Sequence, residues 1–271
     1  MKIEYLVSSM IFTHREDPLS LESQCRFLRS RGLGIELRPN VTDLGGCRFS
    51  PKYRRRLKKA AAGMTVSLQA RSDKPTLEKW LEQIECAKDL NASIVADIHS
   101  LGLTAEAELD DCDLARQAVA MTIRRSVKLF VETGPLDIML ELAERFPSIS
   151  YCLDTGYINA DQKHDFTEYV DKLGPRTGYL HLSDNYGDAD DNVSPGLTSG
   201  ISRQSWDYLL AELDSRDRHI IASFEMAPPS PQVMLAQACD FMFNDLNWPN
   251  RPDCPEKLEA ARHSRTVQNR S

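Results

Sequence analysis

The stretch that decides the fold runs from Leu129 to Met226, and it holds four short apolar runs that each end on a residue able to bind a metal. Leu129-Phe130-Val131 ends on Glu132, and Ile149-Ser150-Tyr151-Cys152-Leu153 ends on Asp154. Gly178-Tyr179-Leu180 ends on His181, and Ile220-Ile221-Ala222-Ser223-Phe224 ends on Glu225. Segments long enough for helices separate the runs, so strand and helix alternate. Parallel strands joined in this way close into a barrel whose strand tips converge on one face, and polar residues at those tips mark the chemistry. The expected fold is α/β, a single (β/α)8 TIM barrel.

The remaining chain fits that reading. A barrel of this kind takes about 250 residues, and the chain has 271. Residues 1–246 are expected to form it, with 247–271 as a C-terminal extension, partly helical (Pro255 to Arg262) and frayed from Val267 to Ser271. Strands are expected at Ile3 to Ser8, Ile35 to Arg38, Met64 to Gln69 and Ile94 to Ile98. Leu77, Trp80, Leu81 and Ile84 carry the spacing of a helix face behind a Thr76 cap. Another helix is expected within Glu106 to Lys128, acidic at its start and basic at its end, as the helix dipole favours.

Composition narrows the function. Hydrophobic residues at 41% and charged residues at 27% suit a globular enzyme with a full core. A net charge of -7 and a pI near 5.5 argue against a sequence-independent grip on nucleic acid. The basic run Pro51 to Ala60 has Tyr53, Leu57 and Ala60 at helical spacing, so its charges are expected on the solvated side of an outer helix. No stretch approaches the roughly 20 apolar residues of a membrane span, and no signal segment is evident at Met1 to Val7. Seven cysteines, odd in number and without metal-site spacing, read as reduced thiols. These features together predict a cytoplasmic protein, and homo-oligomerisation is compatible with them.

Glu132, Asp154, His181 and Glu225 offer three carboxylates and one imidazole, a set that suits Mn²⁺ or Mg²⁺ and also accommodates Co²⁺ or Zn²⁺. Around them, Glu36 reads as a polar group at the barrel mouth or as one half of a salt bridge. His99 reads as a group reaching the pocket or as a structural histidine. Asp184 is expected to orient His181 through its second ring nitrogen. The long, turn-rich segment from Tyr186 to Gly200 reads as a lid or as a mobile surface loop.

Val131-Glu132-Thr133, Leu153-Asp154-Thr155-Gly156, His181-Leu182-Ser183-Asp184-Asn185 and Phe224-Glu225 resemble, in order and spacing, the xylose isomerase-like barrel superfamily of sugar isomerases, epimerases and inosose dehydratases, with endonuclease IV as a distant relative. The resemblance implies one divalent ion on Glu132, Asp154, His181 and Glu225, with both glutamates moving protons next to a carbonyl through an enediolate. It implies a small sugar or polyol as substrate, with Tyr157 and Asn185 among the residues near it. Departures occur at Tyr157, where the family often has His, at Asn192, and at Gln69 on the third strand. The three-metal nuclease set is therefore incomplete, which argues against action on nucleic acid. A metal-dependent dehydratase or lyase on a keto-polyol, and a catalytically lapsed barrel with a binding role, are the competing expectations.

Overall fold

Strand pleating decides which side chains face inward. Successive side chains alternate between the two faces of a strand, so in a closed barrel every second residue points into the bore. The computed structural model describes residues 1–12, 20–38, 50–70, 74–103, 112–227 and 231–253. Eight parallel strands close in sequence order: β1 (Lys2–Ser8), β2 (Gly34–Leu37), β3 (Val66–Ala70), β4 (Ser93–Ala96), β5 (Leu129–Glu132), β6 (Ser150–Asp154), β7 (Thr177–Leu182) and β8 (His219–Phe224). The chain is a (β/α)8 barrel. Among the described residues no helix is long and apolar enough to cross a membrane.

The bore is filled by Leu6, Val95, Phe130, Cys152, Tyr179 and Ile221. Two residues further along their strands, on the same face, come Glu132, Asp154 and His181, while β8 reaches Ser223 and then Glu225. An apolar plug thus supports a polar layer at the C-terminal mouth. Residues of opposite parity, such as Val131, Leu153, Leu180, Ala222 and Phe224, belong to the separate core between the strands and the outer helices.

That outer ring comprises α1 (Leu21–Arg29), α2 (Pro51–Ala60), α3 (Leu77–Leu90), α4 (Asp113–Arg124), α5 (Leu136–Arg145), α6 (Thr155–Ala160), α7 (Phe166–Leu173), α8 (Arg203–Asp214) and α9 (Pro231–Cys239). Side-chain caps at Ser20, Ser50, Thr76 and Ser202 each accept a bond from a first-turn N–H and set where α1, α2, α3 and α8 begin. Only Leu57 of α2 is fully buried, while Arg54 reaches Asp89 and Arg56 reaches Glu22. Helix α9 passes into a π segment at Asp240–Asp245.

The extension begins as barrel packing: Trp248 is buried, Asn250 accepts from the Ile3 N–H at 2.7 Å, and Tyr5 donates to the Pro249 carbonyl at 2.8 Å. The helix expected from Pro255 onward lies outside the described residues. Cys25, Cys86, Cys112 and Cys152 are buried and form no disulfide, but Cys239 is disulfide-bonded, which corrects the expectation of seven reduced thiols. Spacing along a chain carries no information about which thiols meet in space.

At Gly34, where β1 and β2 pair Leu6 with Gly34, an added Cβ would lie 2.5 Å from the Thr65 carbonyl oxygen and 2.7 Å from Leu6 Cγ. A backbone atom cannot yield there. Gly34→Ala is expected to destabilise the barrel by about 1–3 kcal/mol, the usual range for overpacking. Urea denaturation measures this, and an unchanged midpoint would contradict the packing described.

Candidate metal centre

Each carboxylate at the mouth divides its two oxygens between the scaffold and a shared centre. Asp154 caps α6: its Oδ1 accepts from the N–H groups of Gly156 at 3.0 Å and Tyr157 at 3.1 Å, and from the Ser183 hydroxyl at 3.3 Å. Its Oδ2 lies 3.8 Å from His181 Nδ1. Glu132 Oε1 is 2.9 Å from that nitrogen, while its Oε2 faces the Gln69 amide at 3.5 Å. Glu225 places Oε2 at 2.8 Å from Nδ1 and Oε1 at 2.5 Å from Arg38 Nη2. All four residues are buried, and their ligand atoms lie within 4.8 Å of one another.

The other imidazole nitrogen is held from below. His181 Nε2 meets Glu36 Oε2 at 2.9 Å, and the same oxygen accepts from the Tyr179 hydroxyl at 2.6 Å. Tyr179 in turn accepts from Ser67 at 2.7 Å. Nδ1 is therefore the nitrogen aimed into the cluster, with Glu36 fixing the ring as second carboxylates do for metal-bound histidines. Asp184 does not take that role. Its carboxylate accepts from the N–H groups of Asn185, Ile201 and Gly196, so it folds the β7–α8 loop instead of orienting His181. The sequence already pairs a glutamate with a strand end at Glu36; what it hides is that β2 and β7 face each other across the bore.

Charge in this centre is unbalanced. Burial, reinforced by Glu225 and Glu132, holds the Asp154 carboxyl above its ordinary range. For His181 burial acts downward, but the surrounding groups, Glu225, Glu36 and Glu132 among them, outweigh it and hold the imidazole well above its ordinary pKa. Four buried carboxylates stand against one imidazole and one guanidinium. The second oxygen of Glu36, Oε1, is buried with no hydrogen-bond partner. A hard divalent cation fits such a set, because it supplies the missing positive charge to oxygen ligands with one imidazole nitrogen.

The remaining predicted site residues separate into two groups. Asn185 closes the rim by donating to the Gly156 carbonyl at 2.6 Å and accepting from Asn159 at 2.8 Å. Tyr157 is half-buried beside Asp154 on α6, its hydroxyl pKa raised by burial and by Asp161, Asp154 and Asp190. His99, by contrast, is exposed on a 3-10 turn at His99–Leu101 and is not brought to the cluster. The loop from Tyr186 to Gly200 is tied down at several points: Asp184 pairs with Val193 in a two-bond bridge, Ser194 donates to the Met234 carbonyl, and the Ala227 N–H donates to the Asn192 carbonyl. Tyr186 and Leu197 stay exposed on it.

Arg38 was not among the expected site residues. It lies two positions after Glu36, hence on the same face of the chain leaving β2, a period-two signal that extends to Ser67 and Gln69 on β3. The short helix α6 was also missed, although an aspartate placed to accept from the N–H groups of Gly156 and Tyr157 is an N-cap signal.

No family model matches the chain, and no curated protein matches it. Solved structures do. The fold aligns with D-psicose 3-epimerase from Clostridium cellulolyticum H10, crystallised with D-tagatose, at a TM-score of 0.58 and 12% identity over 81% of this chain and 84% of that one. A xylose isomerase domain protein from Planctomyces limnophilus aligns at 0.61 and 12% identity, covering 89% and 95%. A sugar phosphate isomerase/epimerase from Parabacteroides distasonis aligns at 0.60 and 13% identity, covering 90% and 98%. The chain thus shares its fold with the xylose isomerase-like TIM barrels.

Proposed function

We propose that this protein is a divalent-metal-dependent isomerase or epimerase acting on a small sugar or polyol. The observation that carries the reading is the meeting of Glu132, Asp154 and Glu225 with Nδ1 of a single buried histidine at the barrel mouth. The names of the neighbours, among them psicose epimerase and sugar phosphate isomerase/epimerase, support the sugar class.

Glu132, Asp154, His181 and Glu225 would hold the ion, with Mn²⁺ or Mg²⁺ best suited to the oxygen-rich set. When bound, such an ion polarises a carbonyl and stabilises the enediolate left by proton removal beside it. The protein supplies the proton handling. Glu132 and Glu225 stand on different strands, so one carboxylate removes the proton and the other delivers one. Glu36 and Tyr179 keep His181 in a fixed ring orientation, and the Phe130 and Tyr179 plug closes the bore beneath it to water. Gln69, a departure from the family pattern, is part of the working wall: it faces Glu132 and also pairs with Arg38.

Glu132→Gln and Glu225→Gln are each expected to lower turnover by about 10²–10⁴-fold, the usual worth of a positioned acid or base, with circular dichroism unchanged. The assay follows deuterium uptake from solvent into candidate ketoses. Full activity in either variant would remove the proton-transfer roles, and an enone product in place of exchange would favour the dehydratase. Treatment with a chelator is expected to abolish exchange, and Mn²⁺ is expected to restore it. Asp154→Ala and His181→Ala should instead lose the ion. Exchange that survives complete metal removal would contradict the reading.

A further inference from the structure

The four ligands are accompanied by a fixed organic cation. Arg38 leaves the end of β2 with its backbone N–H bonded to Ser9 Oγ at 2.8 Å, and its side chain is only 12% exposed. The guanidinium Nη2 reaches Glu225 Oε1 at 2.5 Å, its Nε donates to Gln69 Oε1, and Nη1 contacts Met10 Sδ. Gln69 in turn points its amide toward Glu132 Oε2 at 3.5 Å, so Arg38 is linked to the second proton-transfer glutamate only through it. One oxygen of each glutamate therefore faces Nδ1 of His181, and the other faces the Arg38–Gln69 pair.

A guanidinium stays charged at any physiological pH. It therefore shares the carboxylate of Glu225 with whatever cation the centre holds, and like charges in a partly desolvated site oppose each other strongly. Gln69, being neutral, spans the gap to Glu132 without adding charge. The alternative is that Arg38 is only a tether for Glu225, in which case its removal loosens a ligand and weakens ion binding, as loss of an outer-shell partner usually does. The two effects have opposite signs. Charge separates them.

Resting on the metal reading of this same centre, we propose that Arg38 is a resident counter-cation: it lowers the centre's affinity for its divalent ion and draws charge from Glu225, leaving the ion more electron-poor toward a carbonyl oxygen. It is a positioning residue that acts through Glu225.

Titration of the full-length protein with Mn²⁺ by calorimetry tests this without any turnover assay. Arg38→Gln keeps amide groups for Glu225 and Gln69 but removes the charge, and it is expected to bind Mn²⁺ about tenfold or more tightly than the parent. Arg38→Lys keeps the charge and is expected to stay within about threefold of the parent, a small difference on the scale of such interactions. Unchanged or weaker binding by Arg38→Gln, or an Arg38→Lys protein that tracks Arg38→Gln, would overturn the proposal. If Arg38→Gln does not fold, Arg38→Met, uncharged and of similar reach, is read by the same criterion. A parent protein that shows no saturable Mn²⁺ binding would instead remove the metal reading itself, an outcome separate from any effect of Arg38.

Discussion

Four carboxylates buried around one imidazole are the constraint to which the rest of the mouth answers. Charges taken out of water are tolerated only when they are paired and hydrogen-bonded. Here the pairing is divided oxygen by oxygen. Asp154 spends one oxygen on the start of α6, Glu225 spends one on Arg38, and Glu132 turns one toward Gln69. Glu36 meets both Nε2 of His181 and the Tyr179 hydroxyl. What remains is a set of oxygens and one nitrogen that all point at the same small volume, with more negative than positive charge around it.

The same pleat that builds the barrel builds this centre. Phe130, Cys152 and Tyr179 are apolar or nearly so because they fill the bore, and the next inward residues, Glu132, Asp154 and His181, are polar because they reach its open end. Only two positions of the chain separate plug from chemistry. This is why the four strand-end residues that meet at the mouth could be picked out together in the sequence: each follows an apolar run long enough to be a strand, and the runs recur at βα spacing. The barrel itself was legible for the same reason.

Other parts were hidden for physical reasons. Glu36 and Arg38 stand two residues apart and so share a face, but β2 is four residues long and fully buried, and nothing in the sequence says that they meet His181 and Glu225 across the bore. Asp184 adjoins the histidine strand and invited the wrong partner. Its side chain accepts from three backbone N–H groups between β7 and α8, those of Asn185, Gly196 and Ile201, a demand visible only once that connection is folded. His99 follows a strand as the ligands do, but a 3-10 turn carries it to the surface. At 12–13% identity the neighbours speak for the fold. The chemistry rests on the side chains themselves.

The proposed function requires one divalent ion where these groups converge. Anomalous diffraction from crystals soaked in Mn²⁺ tests it most directly. A single strong peak is expected within bonding distance of Glu132, Asp154, Glu225 and Nδ1 of His181, with Nε2 still on Glu36. A peak elsewhere on the barrel, or none at the mouth, would contradict it.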